Sequence, residues 1–469
     1  GMSVAVQGGY NEVKANWIRD QALSGIAQNF SRDPQSQEDF SVEGRIVSAQ
    51  DGRFRWLAGV NYYEQEFLNG GTGGTAVIYC GDTLLGDPAI GAGCNPSFGP
   101  FLFGNSLNSS DEVKTLGIFG SLSFDITDQI TLDFEGRYQR DRLDREGVDI
   151  DSNTFLPRVI LQYQVNNTNL YASFAQGVLP GESNPFVINA DAQELAQYEA
   201  QFGNTISDVL PEEKLNSYEI GWKQSLFDNR MHIAVAAYYG KWQNQKSRVV
   251  ATIQETCDAI TTTIPGCGPG DNTLVGDPAS AADGSPVFTP RNTTVTGTGK
   301  IYGVEVEGDA RITDNWIANF TAALAESEFT DFESRFITFY SNFSNVKGNS
   351  HARYPRWTSS ISSTYQHALT EDWDWFVRGD WVYYGKTFVS VANIAQCDDY
   401  NLFHARVGIE RDELRVEAFV RNAFDNNDWS ACARNTNFSV PVDFTYFSLY
   451  QGASVSPQDR RQFGVKASY

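Results

Sequence analysis

Four histidines, His232, His351, His367 and His404, are the first residues whose chemistry has to be weighed. No two of them lie three to five residues apart, the spacing that sets two imidazoles on one metal, so they mark no metal centre. The run Gly297-Thr298-Gly299-Lys300 has the outline of a phosphate-cradling loop. Its earlier glycine is replaced by Thr294, and Ile301 stands where Ser or Thr would hold magnesium, so the run reads as the start of a strand. Asp149, Asp151 and Asn153 imitate the opening of a calcium loop, but Thr154 replaces the turn glycine and Ile160 the closing glutamate. A solvated turn is expected there, with a loosely held surface cation as the alternative. No Gly-x-Ser-x-Gly sequence occurs, and 58 acidic residues are too many for any pair to stand out as acid and base. These residues assign no catalytic group, no metal and no cofactor, and the chain is read as a non-enzyme.

Six cysteines remain: Cys80, Cys94, Cys257, Cys267, Cys397 and Cys432. Their spacing is too wide for the paired cysteines of zinc or redox motifs. All six lie in segments expected to be loops, which suggests disulfides and an oxidising compartment, six unrelated thiols being the alternative. The expected pairs are Cys80 with Cys94, Cys257 with Cys267 across the turn-forming Pro265-Gly266, and Cys397 with Cys432.

The elements that position these groups follow from composition and period. Acids outnumber bases 58 to 35 in 469 residues, a formal charge of −23. That excess argues against a nucleic-acid partner, because phosphate binding needs clustered Lys and Arg. Mean hydropathy is −0.36. No apolar run approaches the ~18 residues of a membrane-spanning helix, which excludes a helical membrane protein but not a barrel, whose strands alternate.

Alternation with period two dominates. In 129–139, Ile130, Leu132, Phe134 and Tyr138 share one face, while Thr131, Asp133, Glu135, Arg137 and Gln139 share the other. Segments of this kind predict strands at 3–18, 38–50, 53–67, 111–126, 129–145, 152–165, 168–178, 214–227, 229–248, 291–312, 315–330, 352–367, 371–388, 400–411, 413–424 and 458–469, sixteen in all. Only 191–202 has a helical period, and it is expected to be a short helix inside a loop. Tight turns rich in Asp, Asn and Gly alternate with long connections at 19–37, 68–110, 179–213, 249–290, 331–351 and 425–457; the short linker 146–151 breaks the pattern. An up-and-down barrel explains why every long loop falls at one end, whereas a β-sandwich does not. Aromatic residues near the strand ends, Trp56 and Tyr62 or Trp373 and Tyr383, read as interfacial girdles. The expected fold is therefore all-β, an antiparallel up-and-down transmembrane β-barrel.

Several segments resemble the C-terminal barrel of TonB-dependent outer-membrane receptors. The run 169–177, Asn-Leu-Tyr-Ala-Ser-Phe-Ala-Gln-Gly, is similar to that family's aromatic strand, and Pro180-Gly181 follow it. Pro211-Glu212 and Ser217-Tyr218-Glu219-Ile220-Gly221 resemble its "PE…SYEIG" signature, and 226–230 its next turn. Tyr302-Gly303-Val304-Glu305 and Asn422-Ala423-Phe424-Asp425 are similar to its "YGVE" and "NLFD" strands. Phe463 and Tyr469, in the final stretch, resemble its C-terminal insertion signal.

The resemblance implies the outer membrane of a Gram-negative bacterium and contact with its lipid. It also implies insertion by the barrel assembly machinery and uptake of a scarce large solute, an iron-siderophore first among them. Family barrels have 22 strands and an N-terminal plug that contacts TonB. Counting back from the last strand, residues 1–469 are expected to be a barrel domain lacking that plug and the first six strands. A passive sixteen-strand pore and a soluble or surface all-β binding protein are the alternatives. Lumen-facing candidates are Asp133, Glu135, Arg137, Glu305, Glu307, Arg378 and Arg415, and external aromatics Phe101, Phe103, Tyr340 and Phe343 are candidates for ligand contact or loop packing.

Overall fold

The computed structural model describes residues 1–20, 29–69, 75–80, 83–84, 109–145, 148–188, 190–202, 206–254, 288–333, 337, 343–436 and 451–469. Its wall comprises β1 (Ser3–Asp20), β2 (Asn29–Val47), β3 (Phe54–Asn69), β4 (Ser109–Asp125), β5 (Ile130–Arg145), β6 (Val148–Val165), β7 (Thr168–Leu179) and β8 (Glu213–Leu226). It continues with β9 (Met231–Gln254), β10 (Phe288–Thr313), β11 (Trp316–Asp331), β12 (Trp357–Ala368), β13 (Asp374–Tyr384), β14 (Tyr400–Arg411), β15 (Leu414–Arg421) and β16 (Gln462–Ser468). Each strand pairs antiparallel with the next in the chain. Among the described residues no ladder joins β1 to β16, the pairing that a self-closed sixteen-strand pore needs.

The turn end is built from residues that tolerate left-handed backbone. Asn166 (φ 49°) closes β6–β7, Asp412 (φ 51°) closes β14–β15, and Phe227, Asp228 and Asn229 (φ 53°, 55° and 63°) close β8–β9. All long connections lie at the opposite end.

Several boundaries differ from expectation. β1 and β2 run on to Asp20 and from Asn29, shortening the 19–37 loop, because their polar upper halves still pair along the whole hairpin. The expected linker at 146–151 is mostly strand: β6 starts at Val148, and Asp149, Asp151 and Asn153 alternate along it rather than forming a solvated turn. The 425–457 connection contains a hairpin of its own, Trp429–Thr436 with Gln451–Pro457. β12 and β13 are shorter than their alternation suggested, and Trp373 lies in the turn before β13. The helix appears as α2 (Ala192–Phe202), preceded by α1 (Pro185–Ile188). Asp191 caps α2, its carboxylate accepting from the amides of Gln193 and Glu194 at 2.8 Å each.

The two faces of the wall are inverted relative to a soluble protein. On β5, Leu132, Phe134 and Tyr138 are 38%, 42% and 51% exposed, whereas Asp133, Glu135 and Arg137 between them are partly covered. The wall therefore curls around its polar face. Outward apolar residues run from Ile130 to Tyr138 on β5, Phe54 to Tyr62 on β3 and Trp316 to Leu324 on β11. Such a run is about 27 Å along the strand, or about 20 Å across a bilayer at a ~40° tilt. Immediately above it the outer face turns charged and paired: Lys114 with Glu64 at 3.4 Å, Arg140 with Asp151 at 3.4 Å, and Lys300 with Glu328 at 2.9 Å.

Candidate functional site

The inner face carries several polar clusters. Asp133 accepts from Ser123 and from Gln162 (2.7 Å), Glu135 pairs with Arg158 (3.3 Å), and Arg137 donates to Gln139 (2.6 Å). Across the wall, Arg378 and Arg406 stand directly opposite each other. Asp380 makes this like-charge pair tolerable, lying 2.7 Å from Arg378 and 3.4 Å from Arg406. Arg415 bridges Glu410 (3.4 Å) and Glu417 (3.1 Å) and lies over the ring of Phe376 at 3.9 Å. Glu305 and Glu307 line a concavity of about 270 Å³ with Glu219, Lys223 and Tyr171, whose hydroxyl donates to Glu219 at 2.5 Å. The seven lumen candidates thus lie on the inner face but in separate groups. Among the described residues no group of three or more His, Cys, Asp or Glu could hold a metal.

Toward the loop end the inner face becomes apolar, and this is the only region with a true core among the described residues. Tyr198 and Phe202 of α2 and Val187 of α1 pack on Val249, Ala251 and Ile253 of β9, Val295 of β10 and Phe329 of β11. The described parts of 180–212 are therefore folded inward over the wall. A bulge makes this possible. Trp242 pairs with Gly299 and Gln245 with Gly297, so one extra residue is inserted in β9, and Asn244 takes φ 51° to absorb it. The insertion changes parity. Without it, Gln245, Val249, Ala251 and Ile253 would point outward.

Polar anchors fix the inward segment. Asn184, 2% exposed, donates to the Thr294 carbonyl at 2.9 Å and accepts from the Thr293 hydroxyl at 3.0 Å. Glu212 accepts from Ser152 and from Thr154 (2.7 Å) on the inner face of β6. Burial alone would raise the Glu212 carboxyl, but hydrogen bonds from Ser152, Thr154 and Lys214 outweigh it and hold the group below the ordinary carboxylate range. Lys246 donates to the Pro180 carbonyl at 2.5 Å and lies 3.9 Å from Glu182, which also pairs with Arg145 at 3.3 Å. Burial lowers the Lys246 ammonium.

Beside this core, His351 is sandwiched between Trp242 (centroids 5.6 Å) and Phe329 (4.2 Å), with Nε2 2.9 Å from Gln245 Oε1. Its Nδ1 is buried without a partner, and burial lowers its pKa. Trp242 in turn donates to Glu213 at 2.7 Å. Among these groups, Glu212 falls in the "PE…SYEIG" signature, Pro180 follows the aromatic strand, and Thr154 and Thr294 lie in the runs that imitate calcium and phosphate loops. The His351–Trp242 contact has no signal in the sequence, because its partners come from different hairpins.

Cys397 and Cys432 are joined, with Cα atoms 5.9 Å apart, tying the 385–399 connection to the Trp429–Thr436 strand. Cys94, Cys257, Cys267, Phe101, Phe103 and Tyr340 lie outside the described residues, as does the side chain of Cys80 at the end of the short Thr75–Cys80 strand. Phe343 is 37% exposed at the loop end. Phe463 is outward on β16, opposite Val420, and Tyr469 follows the strand, fully accessible.

Solved structures share this architecture. The ferric yersiniabactin uptake receptor FyuA of Yersinia pestis superposes with a TM-score of 0.64 at 14% identity over 99% of this chain and 58% of its own. The siderophore receptor PiuA of Acinetobacter baumannii gives 0.63 at 14%, over 99% and 61%. The ferric-catecholate import receptor Fiu of E. coli K12 gives 0.61 at 16%, over 99% and 61%. The chain therefore spans about three fifths of the length of these relatives. No curated protein matches it. The family model "TonB dependent receptor-like, beta-barrel" matches residues 2–423, so the chain belongs to the TonB-dependent receptor β-barrel family.

Proposed function

We propose that this wall belongs to an outer-membrane transporter that takes up a scarce, large solute, an iron-siderophore being the class favoured, with energy supplied by TonB through a plug domain. The observation that carries this reading is the inversion of the faces. Leu132 and Phe134 are exposed outward, while Asp133, Glu135 and Arg137 form an inner polar lining under a structured mouth. Lipid covers the apolar band, the turn end faces the periplasm and the loop end faces the exterior. The two unpaired edges, β1 and β16, call for further strands of the same wall, since open edges are excluded from hydrocarbon. In this reading Asp133, Glu135, Arg137, Glu305, Glu307, Arg378 and Arg415 line the solute path and its filling. Phe463 and Tyr469 present the C-terminal strand to the barrel assembly machinery.

The siderophore preference rests on what the structural relatives import. The test is uptake of radiolabelled ferric siderophores by iron-starved cells carrying the full-length protein, with and without TonB. Uptake that vanishes without TonB is the expected result. Uptake that persists without TonB would overturn the active-transport reading.

A further inference from the structure

The outer face of the wall has a notch above β12. β11 continues to Asp331, but β12 begins only at Trp357, and residues 343–356 leading into it are not strand. The gap is floored by two backbone bonds: the Ala325 amide donates to the Arg356 carbonyl at 2.9 Å, and the Gly385 amide donates to the Trp357 carbonyl at 2.8 Å. A side chain at Gly385 would place its Cβ 2.8 Å from that same carbonyl, so the close approach depends on glycine. The resulting cavity, about 410 Å³, falls within the range of small-molecule clefts.

Its lining has an outward part and a deeper one, Ser327, Ser350 and Tyr354, that reaches toward His351, whose amide donates to Ser327 at 3.1 Å. Trp357 pairs with Leu324, which pairs with Val304 of the outward apolar band, so the indole points outward at the height of the girdle, 48% exposed. Tyr383 shares that outward face with Trp381 and Ile361. Above these rings stand Arg356 paired with Glu326, and Lys386 paired with Asp398 at 3.0 Å and with Asp399 at 3.9 Å, and the Tyr383 hydroxyl donates to Asp399 at 3.3 Å. Both bases are already paired, Lys386 with two carboxylates, which leaves no site for a free anion. The pairs nonetheless offer oriented donors and acceptors beside an apolar aromatic face. That combination suits a sugar ring, whose C–H face stacks on indole while its hydroxyls both donate and accept.

We propose that this notch binds a saccharide carried on an outer-leaflet glycolipid. The lipid source follows from position, since the cavity lies just above the apolar band, at the level of lipid headgroups. The inference rests on the outward band meeting lipid, but its key probe needs no membrane.

Full-length protein purified from membranes is titrated, by native mass spectrometry, with purified lipooligosaccharide, with the soluble core oligosaccharide released from it, and with phosphatidylglycerol as a sugar-free lipid. The expected result is that soluble oligosaccharide binds and competes with the whole glycolipid. Trp357→Ala should weaken both about 5- to 10-fold, with heat-modifiable gel migration verifying the fold. Should that variant not fold, Arg356→Gln and Lys386→Ala report on the same notch from exposed positions and should each weaken oligosaccharide binding. Failure of soluble oligosaccharide to bind, equal competition by phosphatidylglycerol, or unchanged binding in every folded variant would overturn the proposal. Failure of the lipid-facing assignment itself would show separately, as tolerance of arginine at Leu132.

Discussion

The indole of Trp242 and the imidazole of His351 stack with centroids 5.6 Å apart, joining β9 to the segment that leads into β12. Burial holds His351 below its ordinary value of 6.5, so the neutral ring is favoured in the folded state. The unfolded chain then binds more protons between the folded value and 6.5. The contribution of His351 to stability is therefore full above about pH 6.5 and declines as pH falls toward the depressed folded value. Limited proteolysis of the 343–356 segment should accelerate between pH 7.5 and 5. His351→Phe, which keeps the stack, should remove that dependence, and an unchanged pH profile in this variant would show that another group is responsible.

Arginine at Leu132 or Phe134 should cost about 2–4 kcal/mol where those sites lie near mid-membrane. The same substitution at Asp133, one residue away but facing the lumen, should cost much less. Urea unfolding in lipid vesicles measures both, and equal responses from the two faces would contradict the lipid-facing assignment.

Asn244 should be replaceable by glycine within about 1 kcal/mol, because glycine adopts φ 51° without strain. Valine there should cost about 1–3 kcal/mol. Deleting Gln243 should do more damage than either substitution. The ladder would become regular, and Val249, Ala251 and Ile253 would turn away from Tyr198 and Phe202. Denaturant midpoints of the three variants give the order directly.

Replacing Cys397 and Cys432 together by serine should lower the stability of the loop-end region by about 2–4 kcal/mol while leaving the β-strand circular dichroism intact. Non-reducing peptide mapping should recover the Cys397–Cys432 link. Finding either residue joined to Cys80 or Cys94 would contradict the bond described here.

The membrane-crossing part of the wall was legible because its signal is local. The alternation of 129–139 and the Asp- and Asn-rich turns at 166–167, 227–229 and 412 set strand number, direction and facing without long-range information. The loop end was not legible, for the opposite reason. Val249, Ala251 and Ile253 fall in the connection expected at 249–290, whereas β9 runs on to Gln254, and nothing near Asn244 announces the extra residue that turns them inward. Asp149 and Asp151 read as a solvated turn because they imitate the opening of a calcium loop that lacks its glycine and closing glutamate. On β6 they instead mark a strand that has risen above the apolar band, where Arg140 and Arg142 meet them. Glu212 drew attention through its motif, but its inner-wall partners Ser152 and Thr154 lie on another hairpin.

Each ladder of the wall connects strands that are consecutive in the chain. A hairpin could therefore be added or removed without rerouting any other connection, since its two neighbours would simply meet each other. The circumference of such a wall is set by how many such hairpins the gene strings together, and it can change in steps of two strands while the chemistry of every remaining hairpin stays as it was.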